Sequence, residues 1–160
     1  GRVYVGKDAV IRAGAVIEGP VYIGEGAVVG PNCWLRPGTT LGKGARIGNA
    51  CEVKNSIFMD GAAAPHLSYI GDSIVGEHSN IGAGTKTANL RHDHENIHVR
   101  VKDASVDSGR MKLGAIIADN VHTAINTSIY PGRMLWPGAI TFPGEAVRKD
   151  VTEIKRTPQK

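Results

Sequence analysis

The sequence contains few of the residues on which most small folds depend. Only two phenylalanines, two tryptophans and four tyrosines occur among its 160 residues, fewer than an ordinary core of this size would use. Two cysteines, Cys33 and Cys51, are too few for a disulfide scaffold, and we expect them to be reduced core residues. No apolar run approaches the roughly 20 residues of a membrane span. The composition therefore favours a narrow, repetitive interior.

The charge is equally diffuse. The formal net charge is +4, and the sequence has neither a basic run nor a stretch in which basic and aromatic residues alternate. This argues against a nucleic-acid partner. The same charge suits anionic small molecules, although ordinary surface charge is an equal alternative. No secretory leader is recognisable, so we expect a cytoplasmic protein. The chain opens within its repeat and without a methionine, which predicts that it was cut from something longer.

What the sequence does contain is a six-residue repeat. Aliphatic residues recur at Val5, Ile11, Ile17, Ile23, Val29, Leu35, Leu41, Ile47, Val53 and Met59, and the same step returns at Ile117, Thr123, Ile129, Leu135, Thr141 and Val147. Each hexad is typical of a short strand followed by a turn, which cannot bury its inner face alone. Three hexads closing a triangular coil of 18 residues predict an all-β, parallel β-helix.

Coils of 18 residues predict which side chains stack. Glu18, Arg36 and Lys54 share one column at a corner, so Arg36 and Lys54 should lie one strand spacing apart, roughly 5 Å between backbones. Adjacent cations repel unless an anion lies between them, which predicts a phosphate site. In the alternative, Arg36 pairs with Glu18 while Lys54 is merely solvated.

Outward positions predict a protein contact. Aromatic and apolar residues form two columns, Tyr4, Tyr22, Thr40 and Phe58 in one and Val16, Trp34 and Glu52 in the other. Exposed aromatic columns mark protein contacts more often than ligand sites. We therefore expect self-association, or a surface that once covered a preceding domain.

The repeat breaks before a possible site. Pro65 stands where the next aliphatic residue is due, which predicts that residues 61–65 leave the strand pattern and that His66 begins a coil side in irregular backbone. Inward residues return at Ile70, Val75 and Ile81, with one step shortened to five. A histidine followed by Tyr69 at such a break favours a functional role over a structural one.

A second departure from the repeat spans residues 89–113. Residues 97–102 alternate as a hairpin strand does, so we expect a projecting loop or hairpin, followed after the last coils by a tail at about 148–160. The loop contains five cations, Arg91, Arg100, Lys102, Arg110 and Lys112. Contacts with phosphates and simple solvation are equally compatible with them.

Four motifs in order carry a family resemblance: residues 35–39 (LRPGT), 52–56 (EVKNS), 65–72 (PHLSYIGD) and 80–85 (NIGAGT). They resemble the C-terminal domain of the bifunctional sugar-1-phosphate nucleotidylyltransferase/acetyltransferase, most closely its archaeal type, which makes UDP-N-acetylglucosamine. The resemblance implies a left-handed β-helix of the hexapeptide acyltransferase superfamily. It also implies one domain over residues 1–160, a homotrimer, and a nucleotidylyltransferase domain outside these residues.

The same resemblance implies N-acetylation of glucosamine-1-phosphate, or of galactosamine-1-phosphate, by acetyl-CoA without a metal. The residues implied are His66 as base, Glu52 to orient or stabilise it, Arg36 and Lys54 for the phosphate, Tyr69, Asn80 and Asn89 for the sugar or amine, the Ala83 backbone for the acetyl group, and Arg156 for coenzyme phosphates. Base, orientation and an oxyanion donor suffice for this chemistry.

The chain also departs from that family. Ile125 and Pro143 replace a serine and an alanine of bacterial relatives near coenzyme A, so the carrier is expected to be held differently. Two rival functions stay open. One is a non-catalytic β-helix that oligomerises or regulates a nucleotidylyltransferase. The other, by resemblance to β-helical carbonic anhydrases, is a zinc hydratase using His92, His94 and His98.

Overall fold

A computed structural model describes residues 1–152 of the chain, so the prediction for Arg156 and most of the basic tail lie outside the described residues. Every regular element within this range is a β-strand. Accordingly, the described part of the chain has no helix with the length and apolar character needed to cross a membrane.

The strands are short and evenly distributed along the chain. The first eleven are β1 (Val3–Val5), β2 (Val10–Ile11), β3 (Val16–Ile17), β4 (Val21–Ile23), β5 (Val28–Val29), β6 (Trp34–Leu35), β7 (Thr39–Leu41), β8 (Arg46–Asn49), β9 (Glu52–Lys54), β10 (Ile57–Phe58) and β11 (Ala63–His66). The others are β12 (Tyr69–Gly71), β13 (Ile74–Val75), β14 (Asn80–Ile81), β15 (Lys86–Thr87), β16 (His98–Val101), β17 (Ala104–Asp107), β18 (Ile116–Ile117), β19 (His122–Thr123), β20 (Ser128–Ile129), β21 (Met134–Leu135) and β22 (Ala146–Val147).

All strands except β16 and β17 form three parallel sheets, the sides of a triangular solenoid. Side 1 contains β1, β4, β7, β10, β13, β18 and β21; side 2 contains β2, β5, β8, β11, β14 and β19; side 3 contains β3, β6, β9, β12, β15, β20 and β22. Each strand pairs with the strand one coil away, and consecutive strands lie on different sides. This parallel β-solenoid confirms the predicted fold class and is consistent with the left-handed form.

The interior follows the predicted ladder through most of the chain. Ile23, Leu35 and Ile47 are fully buried, and the distal rungs from Ile117 to Val147 are buried as predicted. Two distal rungs, Thr123 and Thr141, are threonines that bond to other buried threonines: the Thr123 hydroxyl lies 3.0 Å from that of Thr85, and the Thr141 hydroxyl lies 2.8 Å from that of Thr127. Their mutual bonds compensate for burying polar groups.

The two cysteines behave as predicted. Both Cys33 and Cys51 are free and buried in the interior. Burial, aided by the neighbouring Cys51, raises the pKa of the Cys33 thiol to about 11. Both thiols therefore serve as small core residues.

The predicted inward position of Met59 is wrong. Phe58 is fully buried, whereas 40% of Met59 is exposed. The register explains the shift, because Phe58 pairs with Leu41, 17 residues earlier. One residue is therefore missing from the turn after β9, and Phe58 leaves the outward column in which we had placed it. Ile57 takes that place and pairs with Thr40.

The expected interruption at Pro65 is wrong as well. Pro65 lies inside β11, where Ala64 pairs with Ile47 and His66 pairs with Asn49. Ala64 supplies the inward rung, so the strand needs no aliphatic residue at position 65. His66 therefore ends a regular strand and does not begin an irregular one.

Departures from the 18-residue coil concentrate at one corner, between side 3 and side 1, which we call the insertion corner. The turns that follow β9 and β12 there are each one residue short, since Phe58 follows Val53 and Val75 follows Ile70 by five positions. Residues 89–113 leave the solenoid at the same corner, and β16 and β17 form the predicted hairpin within them. The insertion corner is thus where successive coils differ.

Candidate substrate site on side 3

The two predicted cations lie where coil stacking placed them. Leu35 pairs with Val53, and the Arg36 amide donates to the Val53 carbonyl at 2.8 Å, which sets Arg36 beside Lys54 at the insertion corner. Each cation already has a carboxylate partner. Arg36 Nη1 lies 2.8 Å from Glu52 Oε1, and Lys54 Nζ lies 2.9 Å from Asp72 Oδ2. The alternative, in which Arg36 pairs with Glu18 and Lys54 is merely solvated, is therefore wrong for both cations.

Arg36 is the more open of the two cations. Its guanidinium lies over the Trp34 ring, with Cζ 4.8 Å from the centroid. About a third of the Arg36 and Glu52 side chains is exposed, at 33% and 32%. The hydrogen bond to Glu52 raises the pKa of Arg36 and uses Nη1, whereas Nη2 makes no hydrogen bond within residues 1–152. The guanidinium therefore retains donors for an incoming anion.

Sequence reasoning missed Asp72, which organises the rest of this corner. Its carboxylate accepts from Lys54 Nζ, from Asn55 Nδ2 at 2.7 Å and from Asn89 Nδ2. Burial would raise the pKa of Asp72, but the hydrogen bonds from Asn55, Lys54 and Asn89 outweigh it and lower that pKa. The signal available was the column of Glu18, Arg36 and Lys54, because Asp72 follows Lys54 by the same 18 positions.

Tyr69 and Asn89 join the same network. Asn89 Nδ2 donates to the Tyr69 hydroxyl at 3.3 Å, so the first residue of the insertion contacts side 3. Tyr69 projects outward next to Glu52, its partner in the strand register. The structure thus brings together Arg36, Lys54, Tyr69 and Asn89 from four successive coils.

His66 lies at the opposite edge of side 3, at the corner with side 2, which we call the His66 corner. Turns of successive coils stack there: the Gly84 amide donates to the Leu67 carbonyl at 3.0 Å, and the Asn126 amide donates to the Ala83 carbonyl at 2.8 Å. His66 is exposed directly beside Ala83 in this column. The Ala83 amide makes no hydrogen bond within residues 1–152 and is free to donate.

The same column continues through Ile125 and Pro143, because the Gly144 amide donates to the Ile125 carbonyl at 2.9 Å. Both side chains are exposed. His66, Ala83, Ile125 and Pro143 therefore form one line along the solenoid.

Two predicted residues do not join His66. Glu52 gives its carboxylate to Arg36 and not to the imidazole. Asn80 projects from side 2, where it pairs with Ala63 and His122, on the far side of the His66 corner from Tyr69. A cleft of about 160 Å³ at His66 also opens on side 2 and is lined by Arg12, Arg46 and other residues of that side. The roles proposed for Glu52 and Asn80 stay predictions.

The His66 corner and the cation cluster are separated by β12. Its three residues span about 10 Å at 3.3 Å per residue. Tyr69 lies on this path. A ligand reaching both corners would have to cross the Tyr69 ring.

The insertion covers the distal coils of its own chain. Ile97 is 99% buried, with 1% exposed, and it lies over Gly132, where an added Cβ would come within 2.6 Å of Ile97 Cγ2. Arg133 Nη2 donates to the His98 carbonyl at 3.1 Å. A cleft of about 680 Å³ remains between the insertion and these coils, and Arg91 at its edge is paired with Asp93.

His92, His94 and His98 of the insertion were the candidates for a metal centre. Within residues 1–152 no group of three or more His, Cys, Asp or Glu side chains is arranged to hold a metal ion.

Fold and site together define a hexapeptide-repeat β-helix with an outward basic and amide cluster. The family described as GMPPB C-terminal domain matches residues 17–135, and the chain belongs to that family. It is 49% identical over 100 residues to the bifunctional sugar-1-phosphate nucleotidylyltransferase/acetyltransferase of Sulfurisphaera tokodaii, covering 62% of this chain and 25% of that protein. It is 53% identical over 81 residues to the bifunctional protein GlmU of Methanocaldococcus jannaschii, covering 51% and 20%.

These matches confirm the predicted resemblance, and the chain spans about a quarter of the length of the first relative. Among solved structures, a hexapeptide transferase family protein from Anaplasma phagocytophilum aligns with a TM-score of 0.45 and 15% identity, over 86% of this chain and 77% of that one.

Proposed function

We propose that this chain is an acetyltransferase domain that transfers the acetyl group of acetyl-CoA to the amine of an amino-sugar 1-phosphate. One relative is named as a bifunctional sugar-1-phosphate nucleotidylyltransferase/acetyltransferase, which supports the substrate class. The observation that carries the proposal is the adjacency of Arg36 and Lys54 at one edge of side 3, with exposed His66 at the other. The acceptor is glucosamine-1-phosphate or galactosamine-1-phosphate.

Proton transfer is assigned to the His66 corner and phosphate binding to the insertion corner. His66 takes the proton from the amine as its nitrogen bonds to the thioester carbon, and the Ala83 amide donates to the oxyanion that forms there. The C–S bond then breaks, and the coenzyme A thiolate leaves and takes the proton from His66. Arg36 and Lys54 hold the phosphate while the sugar lies across Tyr69. Asn80 and Asn89 are proposed to bind the sugar hydroxyls or the amine. Glu52 is proposed to act through Arg36, whose guanidinium it contacts, with the role at His66 that the family resemblance implies as the alternative. No metal is required for this step, because a base, orientation and an oxyanion donor are enough.

Exposed surfaces support proposals for self-association of the chain and for the path of coenzyme A. Tyr4 and Tyr22 stack on side 1 with centroids 4.9 Å apart, and Ile57 is exposed in the same column, so a protein contact fits this side. We propose a homotrimer in which coenzyme A follows the line of Ala83, Ile125 and Pro143. Cytoplasmic localisation is part of the proposal.

The test is release of coenzyme A from acetyl-CoA and glucosamine-1-phosphate. We expect His66→Ala to lower kcat by about 10²-fold or more, since general base catalysis typically contributes that much. His78→Ala is the matched control, since His78 is an exposed histidine at the corner between sides 1 and 2, and it should leave kcat unchanged. If His66→Ala releases coenzyme A as fast as the wild type while keeping its oligomeric state, the mechanism is wrong.

A non-catalytic oligomerisation or regulatory domain is the second candidate. It is favoured by the pairing of both cations with carboxylates, since such a cluster is electrically satisfied without a ligand. Calorimetry with acetyl-CoA separates the two functions. An intact oligomer that binds no acetyl-CoA would establish the non-catalytic one.

A further inference from the structure

Asp72 is the one charged residue that the solenoid buries within residues 1–152. Only 6% of its side chain is exposed, and its backbone takes the left-handed region with φ of 49°. Burying a carboxylate is costly unless it is paired and hydrogen-bonded. The hydrogen-bond donors around Asp72 must therefore offset the cost of burying its carboxylate.

Those donors come from the coils on both sides of Asp72. Lys54 Nζ reaches both carboxylate oxygens, at 3.1 and 2.9 Å, and Asn55 Nδ2 reaches one of them at 2.7 Å. Asn89 Nδ2 reaches the carboxylate from the first residue of the insertion. Asp72 thus joins three successive coils at the point where the insertion begins.

An ionised carboxylate only accepts hydrogen bonds, and this fixes the orientation of its neighbours. The amide of Asn89 must turn its nitrogen toward Asp72 and, with its second hydrogen, toward the Tyr69 hydroxyl. The side-chain oxygen, Asn89 Oδ1, makes no hydrogen bond within residues 1–152 and is left as an acceptor. The Tyr69 oxygen is already an acceptor, so its own proton is free to be donated.

Lys54 is oriented by the same group. Its ammonium has three N–H donors, and the two carboxylate oxygens occupy two of them. The third is left for an acceptor outside the network. With 22% of the side chain exposed, Lys54 is held in place at the surface rather than free in solvent.

We propose that Asp72 is a positioning residue that sets the pattern of donors and acceptors offered to the substrate. With Asp72 in place, Lys54 presents one N–H to the phosphate, and the side-chain oxygen of Asn89 accepts from a sugar hydroxyl or the amine. The Tyr69 hydroxyl donates its proton to the sugar. This inference rests on the proposed function. It adds that Asp72, without touching the substrate, determines recognition of the amino-sugar phosphate.

The test compares Asp72→Asn with Asp60→Asn. Asp60 is an exposed corner aspartate whose Oδ1 accepts from the Lys43 amide at 2.7 Å, so it is a matched control away from the site. By calorimetry, Asp72→Asn should bind glucosamine-1-phosphate about tenfold more weakly, the typical effect of losing charge-assisted hydrogen bonds. Its KM for the sugar phosphate should rise in parallel while the KM for acetyl-CoA is unchanged. Asp60→Asn should match the wild type in all three.

A double variant separates positioning from folding. Asp72→Asn with Asn89→Asp restores a carboxylate-to-amide bond between the two positions, so thermal stability should recover. Affinity should not, because the Tyr69 proton would then be donated to position 89. Recovery of both, or a single Asp72→Asn variant that binds as the wild type does, would overturn the inference while leaving the proposed function intact. A wild-type protein that neither binds nor acetylates the sugar phosphate would overturn both.

Discussion

The two corners that border side 3 are built differently. At the His66 corner, successive coils repeat a turn of the same length, and amides and carbonyls of adjacent turns bond from Asn32 through Gly144. At the insertion corner, two turns are one residue short and the next opens into residues 89–113. A repeated turn stacks equivalent positions into a straight line. An altered turn brings unlike side chains together, as with Lys54, Asn55 and Asp72.

This difference suggests a division of labour. A straight line of exposed positions, such as Ala83, Ile125 and Pro143, suits a long extended molecule. A cluster of unlike polar groups suits a compact anion that needs donors from several directions. The proposed acetyl donor and acceptor match these two shapes.

The largest expected effect concerns the shortened turn itself. Phe58→Ala should lower the free energy of unfolding by about 3–5 kcal/mol, the usual cost of deleting a buried aromatic side chain. Met59→Ala, at the position the hexad repeat favours, should cost less than about 0.5 kcal/mol. Urea unfolding measures both. Equal losses would mean that the insertion corner keeps the 18-residue repeat and does not differ from the His66 corner.

The next effect tests to which corner Glu52 belongs. If Glu52 chiefly neutralises Arg36, then Glu52→Gln should lower the KM for the sugar phosphate several-fold with kcat unchanged, because the freed guanidinium binds phosphate better. Arg36→Gln should raise the same KM by about tenfold. Steady-state kinetics with acetyl-CoA saturating resolves the two parameters. A fall in kcat for Glu52→Gln would instead connect Glu52 with His66, as the family resemblance implies.

The smallest effect is a pH dependence confined to the insertion corner. The folded pKa of Asp72 is lowered from 3.8, so its stabilising contribution is complete above that value and is lost as pH falls through the folded pKa. The difference in unfolding free energy between the wild type and Asp72→Asn should therefore narrow below pH 3.8. Denaturant unfolding at several pH values measures it. A difference that stays constant into acid would show that Asp72 contributes through shape and not through charge.

The sequence predicted the regular parts of the molecule well. Hexad spacing placed the core rungs, and coil stacking placed Arg36 beside Lys54, because a strict period converts directly into spatial neighbours. It failed where the period changed by one residue, at Phe58 and around Pro65. The partner of Arg36 was missed for a different reason. Arg36 and Glu52 lie where the 18-residue repeat is intact, since Leu35 pairs with Val53, and the conformation of two long side chains decides that they meet. Aliphatic spacing carries no information about such polar pairings.

The anchoring of Ile97 over Gly132 limits how the insertion can move. The segment is tied to the solenoid at Asn89 and again where Arg133 holds the His98 carbonyl. Because the insertion is attached to the solenoid at two separate points, it cannot rotate away from the distal coils about a single hinge. The cleft of about 680 Å³ beneath it is therefore expected to keep a nearly constant width.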